Sequence, residues 1–194
     1  MFFLPALLLA GALAATDRHL TAVNPDTTCP HRNVPLESRK SPLDSLTFNL
    51  SGKQVKVCYG RPSARGRTML GGADIPYGKL WRTGANEPTI FYAPVPLIVA
   101  GIKVSPGVYS LYTVPGKNEW EVIVNRSISQ WGKEDQYTAD VKAQEVGRAK
   151  VKSESISKPV ETFTIRAEPA GGKSAALVLE WEKTRVKLPV ATAS

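Results

Sequence analysis

The sequence predicts an all-β protein, a single-domain antiparallel β-sandwich or barrel-like fold with at most one short helix. Apolar and polar residues alternate over short runs, which is the period of a half-buried strand. Turn formers, 15 Gly and 15 Pro in 194 residues, cut these runs at short intervals. Helical character is confined to one stretch, Tyr137–Glu145. Many short strands punctuated in this way are the pattern of a sandwich or barrel.

Taken in order, residues 1–15 read MFFLPALLLAGALAA. This run is too short for a spanning helix of ~20 residues. It ends in small residues, with Ala12 and Ala14 set for cleavage after Ala14 or one residue later, as in a signal peptide. No Lys or Arg precedes it, and no Cys stands at the cleavage point to carry a lipid. The chain is therefore expected to be exported, periplasmic or secreted, with no membrane span after cleavage. Residues 16–44 contain Pro25, Pro30, Pro35 and Pro42 among polar residues and read as an extended arm. The β domain is expected over 45–190, with a short tail at 191–194.

Within that domain Val55, Val57 and Tyr59 share one face of a strand, and Gln54, Lys56 and Cys58 the other. Short strands follow at Thr89–Ala93, Leu97–Ala100 and Ile102–Val104. A hairpin joins Val108–Val114 to Trp120–Asn125 through Pro115-Gly116-Lys117-Asn118. Four more strands are expected at Ala149–Ser153, Glu161–Ala167, Ala176–Trp181 and Arg185–Val190, with Gly171-Gly172 separating the middle two.

Apolar residues make up 42% of the chain, enough for a core, and 22% are charged. The net charge of +8 favours anionic partners. Nucleic acid is not expected, because no basic run interleaved with aromatics is present. The only histidines, His19 and His31, fall in the arm, which excludes a His-based triad or multi-His metal site in the β domain. No cofactor-binding loop is recognisable, and no cofactor or metal is expected. Cys29 and Cys58 fit a disulfide in an exported chain, the alternative being two buried thiols.

One segment departs from the alternating pattern: YGRPSARGRTMLGGADIPYGKLWRTGANEP, residues 59–88. From Arg61 to Arg82 it holds five cations (Arg61, Arg65, Arg67, Lys79, Arg82) against one acid, Asp74. A functional reading makes it a loop-built pocket whose arginines grip an oxyanion. A structural reading pairs Arg82 with Glu87, lets Asn86 cap a turn, and buries Trp81 in the core.

This segment is also where the chain resembles a known family. Tyr59-Gly60-Arg61-Pro62, Gly66-Arg67 and Pro76–Glu87 look like the bacterial domain of unknown function 2911. So do Gly107–Thr113, Pro115-Gly116, Trp120, Asn125, Gln130-Trp131-Gly132, Lys158–Glu161 and Trp181–Thr184. The resemblance covers about residues 41–190. It implies an exported or envelope β protein and no particular activity.

Three functions compete. A binding module would take an anionic small molecule or glycan through Arg61, Arg67, Arg82, Asn86 and Glu87, with Trp81 or Trp131 as a stacking platform. A carboxylate-dependent hydrolase or lyase on envelope saccharides would use Glu87 as general acid or base, with Asp74 as its partner. A structural or interaction protein of the envelope would use the motif for folding alone.

Overall fold

The computed structural model of the protein describes residues 29–30 and 35–193. The expected signal peptide, His19, His31 and most of the arm lie outside them. Among the described residues nine strands form one antiparallel sheet: β1 Leu43–Leu50, β2 Lys53–Gly60, β3 Thr89–Ala93, β4 Leu97–Val99, β5 Ile102–Val104, β6 Gly107–Val114, β7 Glu119–Asn125, β8 Glu145–Pro169 and β9 Ser174–Thr192. Their order across the sheet is β1-β2-β3-β6-β7-β8-β9-β4-β5. The all-β expectation holds.

Turn chemistry fixes the hairpins. Ser51-Gly52 between β1 and β2, and Ala100-Gly101 between β4 and β5, all have positive φ. That is the two-residue turn whose twist matches its flanking strands. The one α-helix among the described residues, α1 Ala139–Lys142, falls inside the stretch read as helical; Thr138 Oγ1 caps it by accepting from Val141 N.

Strand limits differ from the sequence reading in two places. β1 begins at Leu43, inside the segment read as arm. The last four expected strands are two long ones, because the breaks in their apolar period are bulges rather than ends. Pairing of β8 with β9 jumps from Ser155↔Thr184 to Val160↔Glu182 and then to Thr164↔Glu180. The intervening polar, Pro159-containing stretch of β8 loops out while the strand continues, and Glu182 on β9 takes φ +52 at the same place.

Length lets β8 serve both halves of the sheet. Residues 145–152 pair with β7, and 153–169 pair with β9. The sheet folds over at this strand, and its two halves enclose the core. Cross-bonds hold the halves together: Ser51 N donates to Gly172 O at 2.7 Å, and Ile165 N donates to Tyr59 Oη at 3.0 Å. Between them lie four large aromatic rings. Trp81 stacks on Trp181 with centroids 5.8 Å apart, and meets Trp120 and Phe163 edge-on at 5.9 and 5.0 Å.

The outer face of β2, β3 and β6 carries a second, smaller cluster of Cys58, Ile90 and Tyr92, packed with Cys29, Val108 and Ile128. Cys29 and Cys58 form a disulfide, with Cα atoms 5.6 Å apart. This explains why Cys58 is buried although it points away from the main core.

Two predictions follow from this packing. Trp81→Ala and Tyr109→Ala, each removing a buried ring, should each lower stability by ~3–5 kcal/mol in denaturant melts. A loss below ~1 kcal/mol in either melt would place that ring outside the core. Burial also raises the Tyr59, Tyr92, Tyr109 and Tyr137 phenols above their ordinary value and pushes Tyr112 up to about 12. The fold thus favours neutral phenols. That stability is complete below about pH 10 and drains away as pH rises further. In a Tyr77→Phe variant, which removes the exposed phenol, phenolate absorbance should climb together with loss of the β-sheet circular dichroism, not ahead of it.

Candidate functional site

The loop from Trp81 to Pro88 is held at every turn by the strands around it. Trp81 N donates to Thr113 O at 2.7 Å, and Thr113 N returns a bond to Trp81 O at 2.9 Å. Trp81 Nε1 reaches Gly84 O at 3.0 Å, and Thr89 N closes the loop on Arg82 O at 3.0 Å. Thr83 is fully buried with φ +56, a conformation that costs a β-branched residue ~1–3 kcal/mol. Hydrogen bonds hold it there: Thr83 Oγ1 to Thr113 Oγ1 at 3.0 Å, and Thr89 Oγ1 to Thr83 O at 2.6 Å. Arg82 therefore leaves the backbone between two buried residues, with little freedom of direction.

The structure separates the arginines that the sequence grouped. Arg61 spans the two sheet halves, with Nη1 3.3 Å from Asp44 Oδ2, Nη2 donating to Thr164 Oγ1 and Nε to Phe163 O. Arg65 Nη2 donates to Lys40 O at 2.8 Å. Arg67 forms an exposed pair with Asp74 at 2.9 Å and bonds Ala64 O. Arg82 differs from all of these. Its Nε is buried without a hydrogen-bond partner. Among the described residues no carboxylate forms a salt bridge with it. Burial pulls its pKa down, while Glu134, Tyr112 and Glu87 pull the other way; a guanidinium stays charged at neutral pH regardless.

The structural pairing read from sequence is corrected here. Glu87 is not paired with Arg82: both its oxygens accept from Arg39 Nη1 and Nη2, at 2.8 Å each. The side chains of this pair are 0% and 7% exposed. Arg39 comes from the arm, and its planar fork meets both carboxylate oxygens at once. Asn86, at φ +66, does not cap its own turn but donates to Ser41 O at 3.2 Å. Glu87 and Asn86 thus fasten the arm to the loop. Glu87, the expected general acid or base, has its carboxylate engaged there.

Of the residues expected in a pocket, Arg67, Asp74, Trp81 and Arg82 come together, lining a cavity of about 270 Å³. Lys133, Glu134 and Trp181 join them. Trp81 is only 3% exposed, so it belongs to the cavity wall and core rather than to an open platform. Trp131, half-buried, is not among the lining residues, and neither are Arg61, Asn86 and Glu87. Lys133 and Glu134 were not anticipated. The one available signal was Gly132, which sits at φ +91; a Cβ there would lie 3.0 Å from Arg82 Cδ. A second hollow of about 510 Å³ opens beside the first, and Arg67 lines both.

The described residues contain no group of three or more His, Cys, Asp or Glu side chains placed to hold a metal, and no helix long and apolar enough to cross a membrane.

Arg39→Met should take from the buried Glu87 carboxylate its bidentate partner and cost ~3–5 kcal/mol in a urea melt. Adding Glu87→Leu should recover most of that loss; an additive double variant would show that the two groups are not coupled.

Neither a curated protein nor a solved structure matches the chain. Residues 41–190 match the family described as protein of unknown function (DUF2911), spanning the loop, the cavity and the sheet up to the last two residues of β9, and the chain belongs to that family.

Proposed function

We propose that the protein is an exported binding module for an anionic small molecule or glycan, with Arg82 as the group that contacts the anion. The observation that carries this reading is the buried Arg82 Nε with no hydrogen-bond partner, on the wall of a cavity. A buried donor left unmatched is costly, so such groups call for an explanation. A guanidinium offers an oxyanion two parallel bonds in fixed geometry. Around the same cavity Arg67, Arg82 and Lys133 stand against Asp74 and Glu134, three cations to two acids and so a formal net charge of +1, and Trp81 and Trp181 add apolar wall. The strained, tightly bonded loop supports the reading, since it aims Arg82 before any ligand arrives. Export rests on residues 1–15 and agrees with the Cys29–Cys58 disulfide.

The test is a thermal-shift and calorimetric screen of the protein against phosphate, sulfate and acidic sugars. A ligand at a hundred times its dissociation constant should stabilise by ~2.7 kcal/mol. Arg82→Gln should weaken binding by ~1.5–3 kcal/mol, and Arg82→Lys should restore only part of it. Binding that is indifferent to both substitutions would remove Arg82 from the site.

A further inference from the structure

The second hollow carries different chemistry from the first. Tyr77 and Leu70 give it apolar surface, Thr184 and Lys183 supply donors, and Glu161 and Glu182 line it with carboxylates. Tyr77 is 45% exposed, unusual for a large ring in this protein. Its ring lies against the backbone at Gly71, where a Cβ would approach Tyr77 Cε2 to 2.5 Å. This close backing makes it a supported aromatic surface rather than a free side chain.

The carboxylates are also fixed. Glu182 accepts from Met69 N at 3.0 Å and Leu70 N at 2.8 Å, and Glu161 from Arg65 N at 2.7 Å. Each keeps lone pairs for further donors. Arg67 and Lys183 offset these two carboxylates, so the lining carries no net formal charge and offers no excess cation to a second anionic group. The hollow suits an uncharged body rich in hydroxyl donors, with an apolar face for the ring. The two hollows are neighbours in the chain as well as in space: Met69 and Trp181 line the first, Leu70 and Glu182 the second, and Arg67 both.

Building on the anion-binding reading, we infer that the ligand is an acidic saccharide, its carboxylate or sulfate on Arg82 and an adjoining uncharged sugar ring on Tyr77. Arg67 stands at the junction. Lys183 and Thr184 face the ring's hydroxyls with Glu161 and Glu182.

The probes, titrated by calorimetry, are inorganic phosphate, neutral maltotetraose, and two acidic tetrasaccharides on the same backbone: maltotetraose with its terminal non-reducing ring oxidised to glucuronate, and maltotetraose carrying a single sulfate on that ring. One of the acidic tetrasaccharides should bind at least about tenfold more tightly than maltotetraose and than phosphate, since it alone fills both hollows. Comparing the two acidic probes identifies the charged group. Tyr77→Ala should weaken that saccharide about tenfold, several-fold more than it weakens phosphate. Arg82→Gln should weaken binding of both by about ten- to a hundredfold. Phosphate binding that depends on Arg82, with no advantage for either acidic saccharide or no effect of Tyr77→Ala on it, overturns the saccharide assignment and leaves the anion reading standing. Absence of binding by phosphate and saccharides alike overturns both.

Discussion

Trp81 occupies the point where the two halves of the folded sheet meet. Its ring stacks on Trp181 of β9 and abuts Phe163 of β8 and Trp120 of β7, while its backbone bridges to Thr113 of β6. A residue in the middle of a Gly-rich loop is thereby part of the core. The loop cannot swing away without opening the interior, and Arg82, next in sequence, inherits that rigidity. A binding group placed on such a support gives up little conformational entropy when a ligand arrives.

The cations of residues 61–82 divide according to what surrounds them. Arg61 and Arg65 satisfy carbonyls and side chains that would otherwise be left at the seam between the sheet halves and the arm. Arg67 is shared between an exposed partner and the loop backbone. A run of positive charge in sequence is therefore not a patch of positive charge in space. The protein's excess of cations over acids contributes a general field, whereas the recognition proposed at the cavity rests on Arg82, whose buried Nε has no hydrogen-bond partner among the described residues.

Much of the fold was legible because its signals are local. The alternation of Val55, Val57 and Tyr59, the Pro115–Asn118 turn and the 89–93 and 102–104 strands each declare themselves within a few residues. The continuity of β8 and β9 was not legible, since a bulge and a strand end interrupt the apolar period alike. At the site, the composition of the Trp-Arg-Thr-Gly-Ala-Asn-Glu run pointed to Arg82, but the partner of Glu87 did not follow from it. Arg39 lies 48 residues upstream in a stretch with no period, so only the folded chain brings them together. Lys133 and Glu134 arrive at the cavity from beyond β7 by the same kind of long-range closure.

The clamp between arm and loop bears on where this domain begins. Family similarity starts at residue 41, yet Arg39, whose guanidinium neutralises Glu87, and Cys29, whose sulfur joins Cys58, both precede that point. A chain trimmed to the matched boundaries would keep β1 to β8 whole and β9 as far as residue 190, while losing the bidentate partner of Glu87 beneath the loop and leaving an unpaired thiol on the outer face. The unit recognised by similarity is thus smaller than the unit that folds.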